Sequence, residues 1–242
     1  MNFTTARIDY RVGYNIHQAY LANDESISGP KPGIVVVPEW WGVNDYIIDR
    51  TQQLAELGYV ALAIDMYANG KLAENPDEAG KLMNAVLGDM EAGTAALRAG
   101  YEVLLEQPSV DEDKTAAIGY CFGGAMVLHM ARIGMPLAAV VSFHGALGSF
   151  HQAQPGSISP RILVCHGEAD SMVTMDDVDS FRAEMDAARA NYEVRLYAGA
   201  KHGFSSREAD DNSSKYGIDV GYNAAADEAS WQAMLEMFNE VF

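Results

Sequence analysis

The chain has 242 residues, of which 49% are hydrophobic, and it carries a formal net charge of −18. A chain of this length and apolar content buries a sizeable core, and we expect one domain over residues 1–242 because α/β folds of this size are commonly one unit. The acidic excess repels a phosphate backbone or an anionic membrane surface, so we expect neither nucleic acid nor a membrane as a partner.

The first predicted element is an antiparallel hairpin at residues 5–23. Apolar and polar residues alternate loosely there on both sides of a "VGYN" turn. This pattern is typical of a hairpin with one face in solvent. We therefore expect the hairpin at an edge of the sheet.

Short apolar runs follow the hairpin. They cover residues 33–38, 59–67, 115–120, 137–145, 161–167 and 192–197. The first five are nearly continuous, as in strands that are buried on both faces. The sixth follows a helical segment and is interpreted as one more strand.

Segments with a helical spacing of apolar residues separate these runs. They include residues 46–57, 83–107, 175–190 and a closing segment at 224–242. The polar, turn-rich residues 205–223 are interpreted as a long surface loop. Alternating strands and helices predict an α/β fold with a mostly parallel central sheet and helices on both faces.

The stretch "AAIGYCFGG" at residues 116–124 places a cysteine where an apolar strand becomes a helix. Gly119, Cys121 and Gly123 fit the nucleophile elbow, in which glycines on either side let the strand and the helix approach closely. A structural thiol is the alternative interpretation. The strand-to-helix context favours the nucleophile.

A thiolate nucleophile needs a base or a positive environment, and the start of the following helix contributes a partial positive charge that a histidine is expected to complement. In elbow-containing folds the chain order is nucleophile, acid, histidine. Asp170 follows the run at 161–167, and His202 follows the run at 192–197. Both residues therefore lie at the carboxyl ends of predicted strands, where ligands sit in open α/β sheets.

The other histidines are weaker candidates. His144 also ends a predicted strand and could line the pocket, whereas we interpret the remaining four as structural or exposed: His17, His129, His151 and His166. A metal site built from His144, Cys165, His166 and His202 is disfavoured because their spacing matches no compact ligand signature. We expect no metal.

The segment "VVVPEWWGVN" ends the first buried run with a glutamate and two tryptophans. One interpretation is aromatic packing beside a solvated carboxylate. The other is that this loop supplies one backbone N–H of an oxyanion hole, while the residue after the nucleophile, Phe122, supplies the second.

Five motifs together resemble the dienelactone hydrolase family of the α/β-hydrolase fold. They are "PEWWGVN", "DMEAG", "GYCFGG", "HGEAD" and "KHGF", in this order and across nearly the whole chain. The cysteine in the elbow is specific, since most relatives of the fold use serine. The resemblance implies a triad of Cys121, Asp170 and His202, and no cofactor.

The resemblance also implies three supporting residues. Glu39 is expected to contact the nucleophile in the resting state, and the backbone N–H groups of Trp40 and Phe122 are expected to hold the oxyanion. From these residues we expect a cysteine hydrolase of a small lactone or ester that acts through an acyl-enzyme.

The substrate preference is predicted from a departure from the family pattern. In the enzyme that names the family, two arginines hold the carboxylate of dienelactone, but residues 71–84 contain no arginine here. Arg207 lies one residue later than the pattern expects, beside acidic residues. With Trp40 and Trp41 near the expected mouth of the pocket, and His144 and Arg207 as further candidate contacts, we expect an uncharged substrate.

Three alternatives remain open at the sequence level. Within the enzymes, a general short-chain carboxylesterase is the main one. Two alternatives are not hydrolases: a thiol-based redox protein and a non-catalytic ligand-binding relative. The redox alternative is disfavoured because no resolving cysteine stands at C-x-x-C spacing.

Cellular location is predicted from the cysteine count and the apolar runs. Two cysteines are too few for a disulfide framework, residues 1–10 hold no apolar signal segment, and no run of about 18 apolar residues occurs. We therefore expect a soluble, cytoplasmic protein.

Overall fold

The computed structural model describes residues 3–242, with only the backbone for Phe3. The chain divides into two compact units, one that ends at Ala117 and one that begins at Ile118. The strand Val110–Tyr120 runs through this boundary. That the chain acts as a single domain stays a prediction.

The first unit contains four complete strands and three helices. They are β1 (Phe3–Val12), β2 (Asn15–Asp24), β3 (Lys31–Val37), α1 (Asp45–Glu56), β4 (Val60–Ala63), α2 (Pro76–Gly88) and α3 (Met90–Leu105), followed by the start of β5 (Val110–Tyr120). β1 and β2 form the expected antiparallel hairpin, with Val12 opposite Asn15. β4 pairs antiparallel with β2 and parallel with β3.

β4 is shorter than the apolar run at 59–67 that predicted it. The strand ends at Ala63, and the carboxylate of Asp65 then accepts backbone N–H groups from Gln18, Tyr67 and Gly70. Because these bonds turn the backbone into a loop, the apolar residues after Ala63 pack without extending the strand.

The predicted helical segment at 83–107 is two helices. Asp89 ends α2 and caps α3, because its side chain accepts the N–H of Ala92. An N-cap aspartate of this kind satisfies one of the otherwise unpaired first N–H groups of a helix.

The second unit contains the end of β5 and the rest of the chain. Its elements are α4 (Phe122–Arg132), β6 (Ala139–Phe143), β7 (Arg161–Gly167), α5 (Met175–Ala188), β8 (Tyr192–Tyr197), α6 (Ala209–Tyr216) and α7 (Ala224–Val241). β6, β7 and β8 pair in parallel. The interpretation of 205–223 as a loop throughout was wrong, since α6 forms within it and ends at Gly217 in the left-handed region at φ 68°.

Helix α4 is buried along its whole length. Even Arg132 at its end is only 1% exposed, and its guanidinium binds the carboxylate of Glu184 and the carbonyl oxygens of Leu147 and Gly148. A buried arginine is tolerated because nearly all of its donors find acceptors.

The eight strands follow the order β1-β2-β4-β3-β5-β6-β7-β8. The predicted mixed sheet, mostly parallel with an antiparallel N-terminal hairpin at its edge, is confirmed. Within residues 3–242, we find no helix with the length and apolar character needed to span a membrane.

Candidate active site

Cys121 occupies the turn between β5 and α4. Its backbone lies at φ 51° and ψ −114°, a conformation that side-chain-bearing residues rarely adopt. The turn is tight, because a Cβ added to Gly119 would lie 2.1 Å from the carbonyl oxygen of Gly123. The glycine spacing therefore has the steric origin that the elbow pattern predicts.

The thiol of Cys121 is partly exposed and lies at the N-terminus of α4. The N-terminus of a helix carries a partial positive charge, which stabilises a thiolate relative to a thiol. Cys165, in contrast, is fully buried, and burial raises the pKa of its thiol to about 12. Of the two thiols, Cys121 alone is placed to react.

His202 and Asp170 are brought together by the loops that follow β8 and β7. Nδ1 of His202 lies 2.8 Å from Oδ2 of Asp170. The other carboxylate oxygen of Asp170 accepts the N–H groups of Met172 and Val173, each at 2.9 Å. The carboxylate is thus fixed in orientation before it holds the imidazole.

The pKa values of His202 and Asp170 are shifted in opposite directions. Burial lowers the pKa of His202, but the charge of Cys121 and hydrogen bonds with Asp170 and Cys121 raise it well above the usual 6.5. Burial raises the pKa of Asp170, but the hydrogen bond and charge of His202 hold it below the usual 3.8. The arrangement therefore favours a protonated His202 beside an ionised Asp170.

His144 lies behind His202. Its ring meets that of His202 edge-on at a centroid distance of 5.4 Å, and its Nε2 lies 2.7 Å from Oγ of Ser205. His144 is fully buried, so nothing in the structure supports a direct substrate contact, and that role stays a prediction. Sequence reasoning missed Ser205, whose only signal was its place three residues after His202.

Glu39, Trp40 and Trp41 belong to the first unit, in the loop between β3 and α1. The Trp40 carbonyl oxygen accepts the hydroxyl of Tyr67 at 3.0 Å, and the two indole rings meet edge-on at 5.1 Å. Gly42 adopts φ 87° there. The loop has a defined conformation, while the proposed roles of Glu39 and Trp40 stay predictions.

The remaining candidates are placed as follows. Arg207 is exposed, on the loop after His202. His166 is buried, and burial lowers its pKa below the usual 6.5. No group of three or more metal-binding side chains is found between residues 3 and 242.

Comparison with known proteins gives a family. The sequence profile described as "Dienelactone hydrolase family" matches residues 17–242. A protein of Synechocystis sp., provisionally named a carboxymethylenebutenolidase, is 30% identical over 241 residues, which are 90% of this chain and 89% of that protein.

Two solved structures are also similar over their full length. One, named m3DLH, is 36% identical with a TM-score of 0.93, and both chains are covered completely. The other is described as a dienelactone hydrolase-like promiscuous phosphotriesterase from metagenomic libraries. It is 34% identical with a TM-score of 0.91, again with complete coverage of both chains.

Proposed function

The chain belongs to the dienelactone hydrolase family and is a hydrolase of ester bonds, and from this premise we propose that it cleaves a small lactone or ester through an acyl-enzyme on Cys121. The observation that carries the proposal is the geometry of three side chains. Cys121 stands on a tight elbow at the start of α4, Nδ1 of His202 lies 2.8 Å from Oδ2 of Asp170, and the charge of Cys121 raises the pKa of His202.

The first half of the reaction forms the thioester. The Cys121 sulfur attacks the carbonyl carbon, and the resulting tetrahedral oxyanion collapses with cleavage of the carbon–oxygen bond. The imidazolium of His202 gives its proton to the departing alkoxide. For a lactone, the new hydroxyl remains attached to the acyl group, so no fragment leaves at this stage.

The second half regenerates the enzyme. Neutral His202 takes a proton from water, which attacks the thioester carbon and releases the carboxylic acid from sulfur. Asp170 holds the imidazole in one tautomer throughout, because its carboxylate accepts from Nδ1 and leaves Nε2 for chemistry.

The oxyanion needs donors, and two are proposed. Phe122 is the first residue of α4 and directly follows Cys121, the position whose backbone N–H serves as an oxyanion donor in a nucleophile elbow. The N–H of Trp40 is the second, by family resemblance. Each donor of this type contributes about 3 to 4 kcal/mol to transition-state stabilisation.

Glu39 is proposed to take the thiol proton or to hold the thiol until substrate enters. Glu39 is only 5% exposed, and buried carboxylates in proteins are usually paired or functional.

The test is hydrolysis of p-nitrophenyl acetate combined with intact mass spectrometry. The wild type should hydrolyse the ester and lose activity after iodoacetamide treatment. The His202→Ala variant should accumulate an acetyl group on Cys121. If the Cys121→Ala variant hydrolyses the ester as fast as the wild type, the proposal is overturned. Absence of hydrolysis by folded wild type would favour the redox or ligand-binding alternatives.

A second candidate activity is phosphotriester hydrolysis, and one observation favours it. The full-length structural relative at 34% identity is described as a promiscuous phosphotriesterase. A p-nitrophenyl phosphotriester offers the same leaving group as the acetate ester. Repeated turnover of the phosphotriester that requires Cys121 would extend the proposed activity to phosphorus centres. A single burst of p-nitrophenol without further turnover would restrict the activity to carboxylic esters.

A further inference from the structure

We propose that Asp219 is a positioning residue that ties the loop of Asp170 to the loop of His202. This inference rests on the proposed function, because it assigns a role relative to that site. Asp219 lies in the segment 218–223 between α6 and α7, which we call the strap.

The carboxylate of Asp219 is shared between the two loops. Its Oδ2 accepts a hydrogen bond of 2.5 Å from the hydroxyl of Ser171, and its Oδ1 accepts one of 2.7 Å from the ammonium of Lys201. Ser171 follows Asp170 directly, and Lys201 directly precedes His202. One carboxylate therefore links the residues that adjoin both members of the acid–histidine pair.

The backbone of the strap holds the same histidine. Val220 forms an isolated parallel bridge with His202, and the N–H of Gly221 donates to the His202 carbonyl oxygen at 3.1 Å. The N–H of Asn223 donates to the carbonyl oxygen of Phe204 at 3.0 Å. Asp219 thus precedes a segment that is already fastened to the histidine loop, and its carboxylate adds the link to the acid loop.

Packing supports the strap only in part. Val220 and Gly221 border a cavity of about 460 Å³, together with Lys201 and residues of α6. Lys201 and Asp219 are each about half exposed, at 48% and 49%. This part of the strap is therefore held by hydrogen bonds more than by buried apolar contacts.

The expected effect falls on catalysis more than on unfolding. An exposed ion pair contributes little to the free energy of unfolding, because solvent screens it and ordering the side chains costs entropy. The chemistry is more sensitive, since small displacements of a catalytic group lower the rate steeply. Loosening the two loops lets the 2.8 Å bond between His202 and Asp170 lengthen or break for part of the time.

The experiment compares Asp219→Ala with a matched control, Asp179→Ala. Asp179 is also exposed and also pairs with a cation, Arg182 at 3.2 Å on α5, but it adjoins none of the proposed catalytic residues. We expect Asp219→Ala to lower kcat about tenfold with little change in KM, and Asp179→Ala to leave both unchanged. Thermal unfolding should shift equally little in the two variants.

Two further measurements separate positioning from general destabilisation. Ser171→Ala should lower kcat in the same way, and the double variant with Asp219→Ala should be no slower than Asp219→Ala alone, because both changes remove one link. The low-field proton resonance of His202 Nδ1 should weaken in Asp219→Ala. Asp219→Glu should recover part of kcat and part of the His202 Nδ1 proton resonance.

The outcomes distinguish the two proposals. Wild-type kcat and an unchanged Nδ1 proton in Asp219→Ala would overturn the positioning role while leaving the Cys121 chemistry intact. If Cys121→Ala keeps ester hydrolysis, the proposed function fails instead, and the proton resonance still reports whether Asp219 orders the pair.

Discussion

The backbone N–H of Cys121 donates a hydrogen bond of 3.0 Å to the carbonyl oxygen of Phe143, the last residue of β6. The strained residue at the elbow is therefore fastened to the neighbouring strand as well as to its own helix. Strain at a single residue persists only where the surrounding structure determines it in this way.

Gly119→Ala should destabilise the fold. The added Cβ would meet only backbone atoms of Gly123 and Gly124, at 2.1 to 2.8 Å, and backbone atoms in a buried turn cannot move aside. We expect a loss of about 3 kcal/mol in the free energy of unfolding, measured by urea denaturation. The control is Gly80→Ala in α2, where no atom lies within 4 Å of the added group. That change should stabilise by about 0.5 to 1 kcal/mol, and similar losses in both variants would contradict the steric explanation.

The two cysteines should separate activity from stability. Cys121→Ala should abolish ester hydrolysis and leave the thermal midpoint nearly unchanged, because its thiol is partly exposed. Cys165→Ala should keep activity and lose about 1 kcal/mol of stability, since its sulfur is fully buried. Iodoacetamide should label one thiol per native chain. If Cys121→Ala kept more than a few per cent of kcat/KM, a loss of under about 2 kcal/mol, Cys121 would not be the nucleophile.

The pH dependence should follow His202. Burial lowers the pKa of His202, but the charge of Cys121 outweighs burial and raises this pKa well above 6.5. The imidazolium needed to protonate the alkoxide therefore persists above pH 6.5. The folded state holds this proton more tightly than the unfolded chain does. The resulting stabilisation is complete below pH 6.5 and is lost as the pH rises through the folded-state pKa.

An NMR titration of the His202 ring in wild type and Cys121→Ala measures this directly. Removing the thiol removes the largest influence that raises the pKa, so the titration should move to lower pH. The alkaline limb of kcat/KM should lie well above pH 6.5 in the wild type. Identical titrations in the two proteins would show that Cys121 does not interact with His202 as described.

Glu39→Gln should lower kcat/KM by about tenfold or more across roughly pH 6 to 9, since glutamine keeps the shape and removes the charge. Glu56→Gln, at the exposed end of α1, should have no effect. An unchanged pH–rate profile in Glu39→Gln would reduce Glu39 to a structural carboxylate.

A neutral lactone or short aryl ester should have a kcat/KM at least about tenfold above that of dienelactone, a difference of about 1.4 kcal/mol. Arg207 is exposed, and a single exposed guanidinium binds a carboxylate weakly. Arg207→Ala should leave turnover of the neutral ester unchanged. Equal or faster turnover of dienelactone, abolished by Arg207→Ala, would show that this one arginine replaces the pair found in the enzyme that names the family.

Much of the fold was predictable because apolar runs and strands coincide where both faces are buried. The buried run at 161–167 matches β7 residue for residue, and the half-buried run at 192–197 matches β8 in the same way. The failures occur where polar side chains bond to the backbone. Asp65 redirects the chain after β4, and Asp89 divides one predicted helical segment into two, and neither effect changes the apolar periodicity.

The candidate site divides in the same way. Cys121, Asp170 and His202 each follow a strand, so the rule that strand ends meet at one edge of a parallel sheet predicts them. Ser205, Ser171 and Asp219 were not predicted. Their contacts depend on how loops fold back on one another, and serine and aspartate are too common in loops to indicate a partner.

Helix α4, which has no residue facing solvent, also determines how the site can open. Amide hydrogens of a helix with a solvent face can exchange by local fraying, but those of α4 can exchange only when the packing around the whole helix is lost. The slowest-exchanging amides of the second unit should therefore follow Cys121 in the chain. A mutation that loosens this packing would lower the hydrogen-exchange protection of α4 and also displace Cys121. Selection for a more mobile substrate pocket therefore has to act on the loops and spare the helix that follows the nucleophile.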